Sequence, residues 1–183
     1  MNEKRRCQWV EGQEQIYLDY HDNEWGVPVF DDEILYEMLI LECFQAGLSW
    51  ITILKKRDFF KEAYDDFDIS KVIEYDESKI DELMSNEKII RNRKKIEASI
   101  NNSKIFLKIQ EEYGSFSNYI WSFTDNKVLK DTDENYLTKS KTSDKITKDL
   151  KKKGMKFVGS VTIYSYLEAI GIIDNHTREC FKY

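Results

Sequence analysis

Four of the five side chains in this sequence best suited to a soft metal ion lie at its two ends, and that placement constrains the fold more than any other feature. The 183 residues include two histidines and three cysteines. Four of these fall as Cys7-x13-His21 near one end and His176-x3-Cys180 near the other. If the chain is helical from Asn175 onward, His176 and Cys180 stand one turn apart on one face, with Cβ atoms about 5–6 Å apart. Two thiolates and two imidazoles make a closed tetrahedral set, for which zinc is the natural ion. A closed shell leaves no position for water or substrate, so such a zinc is structural and requires the chain ends to meet. The alternative is four unrelated core or surface residues. Cys43, inside an apolar stretch, reads as small core filling.

One proline and seven glycines leave few interruptions for helices, and no stretch alternates clearly enough to predict a strand, so the fold class is all-α. Asp31 or Asp32 is a candidate N-cap for a helix carrying Ile34, Leu35, Met38, Leu39 and Leu41 and ending near Gly47. A second helix begins close to Ser49. Apolar spacing at Ile80, Leu83 and Met84, at Ile90, Ile96 and Ile100, and at Ile105, Phe106 and Ile109 predicts further helices. The polar run from Thr124 to Ser143 reads as a surface loop, followed by a helix from Ser143 to Lys153 stopped by Gly154. From Gly154 the sequence GMKFVGSVTIYSYLEAIG places two glycines around a short apolar turn, then a helix ending at Gly171. The segment from about 143 to 171 looks like a helix-hairpin-helix element, which presents backbone N–H groups where a phosphate binds. An ordinary tight connection is the alternative. Without repeats or a low-complexity linker, residues 1–183 are expected to form a single domain.

The apolar stretch from Ile34 to Phe44 contains Glu37 and Glu42, so nothing approaches a membrane span of ~20 apolar residues. Without an apolar secretory leader, the expected location is the cytoplasm, with reduced or metal-bound cysteines. The net charge of −6 alone argues against a polyanionic partner. Its distribution differs: eight lysines and two aspartates lie between Lys139 and Lys156, and Arg91, Arg93, Lys94 and Lys95 form a second basic cluster. Such clusters are either solvated helix faces or the footprint of a nucleic acid.

Tyr17, Tyr20 and Trp25 surround the candidate ligand His21, and Trp50 follows the apolar helix that carries Glu42. Aromatics in such number are usually core. Glu42 is different, because an acid flanked by Leu39, Ile40, Leu41, Cys43 and Phe44 must find a partner or bear a desolvation cost. A pocket of aromatic rings with one acid suits a flat cationic ligand such as a methylated purine: the rings stack on its faces and the carboxylate accepts hydrogen bonds from its edge.

The segments CQW at 7–9, YHDNEWGVP at 20–28, AGLSWITILKKR at 46–57, IIRNRKKIEA at 89–98, WSF at 121–123 and KFVG at 156–159 closely resemble the bacterial 3-methyladenine DNA glycosylase I family. The resemblance runs from Cys7 to the end of the chain. It implies a helix-hairpin-helix glycosylase fold, a structural zinc on Cys7, His21, His176 and Cys180, and monofunctional hydrolysis that releases 3-methyladenine from duplex DNA and leaves an abasic site. It also implies a base pocket of Trp9, Tyr17, Tyr20, Trp25, Glu42 and Trp50, with Glu42 as the catalytic candidate. The turn at Gly47 and Leu48 matches the part that enters the space left by a flipped nucleotide, and Lys156, Phe157, Gly159 and Ser160 are the hairpin candidates for DNA contact. A monomer is expected. Asp174 is either a helix N-cap before the C-terminal ligands or an acid near the sugar. A zinc-stabilised nucleic-acid-binding module without activity would explain the metal set and the basic clusters, but not Glu42.

Overall fold

The computed structural model describes residues 4–130 and 137–183 and is mostly helical. Helices α1 (Gln15–Asn23), α2 (Asp32–Gln45), α3 (Trp50–Leu54), α4 (Arg57–Ala63), α5 (Ile69–Val72) and α6 (Glu77–Ser85) precede the long α7 (Arg93–Tyr113). Then come α8 (Phe116–Ser122), α9 (Lys141–Lys152) and α10 (Ser160–Ala169). Two strands that the sequence did not signal, β1 (Leu129–Lys130) and β2 (Ile173–Asp174), pair in parallel with Leu129 opposite Ile173. Strands two residues long carry no alternation to detect. Part of the run read as a surface loop, residues 131–136, lies outside the described residues.

Helix α2 is the centre of the molecule. Asp31 caps it, accepting hydrogen bonds from the backbone of Glu33 (2.8 Å) and Ile34 (3.3 Å). Asp32 instead accepts from the backbone N–H groups of Phe116 and Ser117, both at 2.8 Å, and so fixes the start of α8. From Leu35 to Phe44 every residue except Glu37 is buried. A helix apolar on all sides must be enclosed, and α2 packs against α3, α7, α8 and α10. Tyr36 and Tyr166 stay inside because their hydroxyls meet Ser103 Oγ (2.6 Å) and the Leu35 carbonyl (2.9 Å). Hydrophobic side chains of most helices join in one cluster around this axis, and no helix among the described residues is long and apolar enough to cross a membrane.

The helix expected to begin at Ser143 starts two residues earlier, at Lys141. Ser140 is its cap, and the Ser140 and Ser143 side chains each accept from the other's backbone N–H, a reciprocal capping box. Helix α10 packs on both α9 and α2. After α10 the chain does not return to helix: residues 175–183 are turns, a bend and backbone without regular structure. His176 and Cys180 are therefore not one helical turn apart on a common face, and Asp174 is not a helix cap. It lies in β2, and its Oδ1 accepts from the His176 backbone at 3.1 Å.

Candidate active site and metal centre

Trp9, Tyr17, Tyr20, Trp25, Glu42 and Trp50, drawn from four separate segments, line one cavity of about 830 Å³. Trp9 makes edge-to-face contacts with Tyr17 and Trp25, both at 5.0 Å between ring centres, and Tyr20 lies 5.4 Å from Trp50. Edge-to-face packing braces each ring against the next and keeps the cavity from collapsing. Glu42 reaches it from the last turn of α2 and is 2% exposed. Its Oε2 has no hydrogen-bond partner. Glu37 on the same helix shows the contrast, since Arg57 donates to it at 2.6 Å. Burial, and secondly the charge of Glu168, push the Glu42 carboxyl well above the usual carboxylate range. The Tyr17 and Tyr20 phenols are raised by burial and then by Glu42. The indole N–H groups of Trp9 and Trp50 are buried donors without partners. Unmatched buried polar groups are costly in a folded protein, and here the residues that carry them line one cavity, where a ligand with both donors and acceptors would satisfy them.

Among the lining residues that sequence reasoning missed are Tyr164, Glu168 and Asn175. Tyr164 and Glu168 stand one turn apart on α10, and the Asn175 amide donates to both, at 2.8 and 2.7 Å. Their spacing, i and i+4 on an otherwise apolar helix, was the available signal. Asn175 could not be foreseen, because only the return of the chain after β2 brings it there.

Beside the cavity lies a group of metal-type ligands. The buried Cys7 Sγ, His21 Nε2 and Cys180 Sγ lie within 4.8 Å of one another, and His21 Nε2 is 3.6 Å from Cys180 Sγ. Two ligands on one tetrahedral zinc, at Zn–S about 2.3 Å and Zn–N about 2.0 Å, stand about 3.5 Å apart. The cysteines are free thiols, and burial pushes the Cys7 thiol up to about 11, so a bound cation is what would make it a thiolate. His21 Nδ1 meets Asp22 Oδ1 at 2.9 Å, and Asp22 receives a bidentate bond from Arg6. This carboxylate–histidine relay leaves Nε2 directed at the thiols. His176 stands outside the group of three. Its Nδ1 is held by Asp174 at 2.7 Å, its Nε2 is buried without a partner, and its ring lies 5.2 Å from that of His21. Gly26 makes room for it: with φ +72°, a Cβ there would sit 2.6 Å from His176 Cε1. The two ends of the chain meet around this group, with Phe181 N–H donating to the Arg5 carbonyl at 2.9 Å.

Two exposed turns carry the remaining residues that the sequence singled out. In the first, Gly47 has φ +81° and Leu48 is 39% exposed. In the second, between α9 and α10, Lys156 and Phe157 are exposed, Gly159 takes the N-cap position of α10, and the Ser160 hydroxyl meets that of Ser143 at 2.9 Å. Phe157 has φ +55°, a costly region for a bulky residue that persists only when its surroundings impose it. The basic clusters are partly neutralised. Arg93 pairs with Glu77 and Asp81, Arg91 with Glu87, Lys153 with Glu112, and Lys95 is buried, while Lys94, Lys139, Lys156 and the α9 lysines through Lys152 are exposed.

Residues 9–183 match the model of a family described as methyladenine glycosylase. The chain is 42% identical over 178 residues to the DNA-3-methyladenine glycosylase of Haemophilus influenzae, covering 96% of each chain. It is similar to the crystal structure of a 3-methyladenine DNA glycosylase I, with TM-score 0.93, 40% identity and coverage of 97% of this chain and 98% of the other. A variant of a 3-methyladenine DNA glycosylase I solved in complex with 3-methyladenine aligns at TM-score 0.91 and 40% identity over 94% of each chain.

Proposed function

The chain belongs to the methyladenine glycosylase family, and from that premise we infer that it is a base-excision repair enzyme hydrolysing the N-glycosidic bond of 3-methyladenine in alkylated DNA. It releases the free base and leaves an abasic site. The observation that carries the residue-level reading is the buried, unpartnered Glu42 Oε2 inside an aromatic cavity.

Methylation at N3 makes the base cationic. Cleavage of the bond from C1′ to the base sends the electron pair to the departing purine, which leaves neutral. Water then bonds to C1′ and releases a proton to solvent. Because the leaving group is already activated, the residues of this chain have little acid catalysis to perform. Glu42 accepts hydrogen bonds from the edge of the flipped base, and Trp9, Tyr17, Tyr20, Trp25 and Trp50 enclose its faces and rim. An ionised carboxylate buried in this cavity is costly. The cation of 3-methyladenine offsets that cost, whereas unmodified adenine has no charge to do so. The same group therefore supplies both affinity and discrimination.

Zinc is the ion we assign to Cys7, His21, His176 and Cys180. The fit rests on the two buried thiols, the 3.6 Å approach of His21 to Cys180 and the buried unpartnered Nε2 of His176. When bound, it supplies a structural cross-link between the chain ends and no open coordination position. The chain acts in the cytoplasm as a single-domain monomer on double-stranded DNA. The 143–171 segment serves as a helix-hairpin-helix element in which Lys156, Phe157, Gly159 and Ser160 meet the backbone, and Gly47 and Leu48 enter the gap left by the extruded nucleotide. Support for this placement is the exposure of Leu48 and Phe157 (39% and 37%) and the costly positive φ held by Phe157. Release of 3-methyladenine from methylated duplex DNA, measured by chromatography of the free base, tests the activity, and absence of release from folded protein would refute it.

A further inference from the structure

Both exposed turns are held by the same helix. The Lys95 ammonium on α7 donates to the carbonyls of Phe44 (2.8 Å) and Ala46 (2.6 Å), the last groups of α2 before Gly47 and Leu48. Seven residues along α7, Asn102 clamps the hairpin in both directions: it accepts from Lys156 N–H and donates to the Lys156 carbonyl, each at 2.8 Å. Seven residues are two helical turns, so the two anchors share a face and stand about 10 Å apart. Lys95 Nζ also lies 5.8 Å from the Phe157 ring.

Lys95 is only 8% exposed, and both of its hydrogen bonds go to main-chain carbonyls. A buried charge without a carboxylate partner is poor economy for stability alone, since apolar residues of similar volume often serve as well or better. What an ammonium does here that an apolar chain cannot is bind the frayed carbonyls at the end of α2 and define the path of the turn that follows.

We propose that Lys95 is a positioning residue for nucleotide extrusion: through Ala46 it holds the Gly47–Leu48 turn at a set distance from the hairpin that Asn102 holds on the same helix. This rests on the reading of both turns as DNA-facing. The test is a double-mutant cycle on methylated duplex DNA with Lys95→Met, Leu48→Ala and the double variant, measured as single-turnover excision beside free 3-methyladenine binding followed by tryptophan fluorescence. Lys95→Met is expected to slow excision about tenfold while free-base binding is unchanged. In the Leu48→Ala background it should add less than about twofold, because residues acting through one element are not additive. Lys95→Arg, which keeps charge and donors, should recover most of the rate. If Lys95→Met does not fold, Lys95→Gln, whose single amide reaches one carbonyl, enters the same cycle. Full additivity with Leu48→Ala, or equal loss of free-base binding, overturns the positioning role. Unchanged excision by Leu48→Ala alone would instead overturn the underlying reading of the turn, and the proposal with it.

Discussion

Replacing Glu42 with Gln separates a base-reading acid from a structural one, because the two make opposite demands on the same side chain. Glutamine keeps the size and shape of the residue, removes its charge, and turns one acceptor into a donor. Charge-assisted hydrogen bonds are worth about 1.5–3 kcal/mol, so single-turnover excision of 3-methyladenine should slow by about 10- to 100-fold. Stability should move the other way. The Glu42 carboxyl is raised by burial, so the folded state keeps its proton at pH values where the unfolded chain has lost it. The stability this proton provides is complete below the ordinary carboxylate range. It falls by about 1.4 kcal/mol per pH unit from that range up to the raised value. Glu42→Gln removes the fall: its melting temperature should match the parent in mild acid and exceed it at neutral pH. Glu37→Gln is the control. It removes one of the two carboxylates on Arg57, whose Nε bonds Glu37 at 2.6 Å while Nη1 keeps Glu24, and should cost about 0.5–1.5 kcal/mol, or roughly 1–6 °C. Excision and thermal unfolding are to be measured on the same preparations. Normal excision by Glu42→Gln with a collapsed melting temperature would refute the reasoning and make Glu42 a structural group.

Metal analysis of purified protein should find about one zinc per chain, and Cys180→Ala should lower the melting temperature more than it alters binding of free 3-methyladenine, since structural metal affinity is folding free energy. Gly26→Ala would place a Cβ 2.6 Å from His176 Cε1 at φ +72°, so zinc retention in a chelator titration should fall while Cys43→Ala, away from the ligand group, retains metal as the parent does. Affinity for an abasic-site duplex should fall steeply with salt, and replacing Lys151 and Lys152 together with Gln should reduce the slope by about one unit for each phosphate that is no longer neutralised. Lys153→Gln should act mainly on stability, because Lys153 is engaged with Glu112 at 2.8 Å.

Much of the candidate site was legible along the chain because its chemistry is local or compositional. Glu42 declared itself by lying in an apolar stretch, where burial follows from periodicity and an acid must then be explained. The scarcity of histidine and cysteine pointed in the same way to the buried group of Cys7, His21 and Cys180, and the capping rules placed one helix start at Asp31 or Asp32 and one helix end at Gly154. What tertiary structure decided were the relations between distant segments. A helical C-terminal tail was the reasonable expectation from His176-x3-Cys180. Instead the tail runs through successive turns, and the pairing of β1 with β2 before it and the backbone bond from Phe181 to Arg5 hold Cys180 beside His21. Whether a basic residue serves solvent, an ion pair or the backbone is likewise set by what packs against it. Lys94 and Lys95 are neighbours in one cluster, yet α7 turns the first outward and drives the second into the end of α2. Periodicity fixes which face of an element is buried. Only the meeting of faces from separate elements fixes which polar groups find partners and which, like Glu42 Oε2, are left without one.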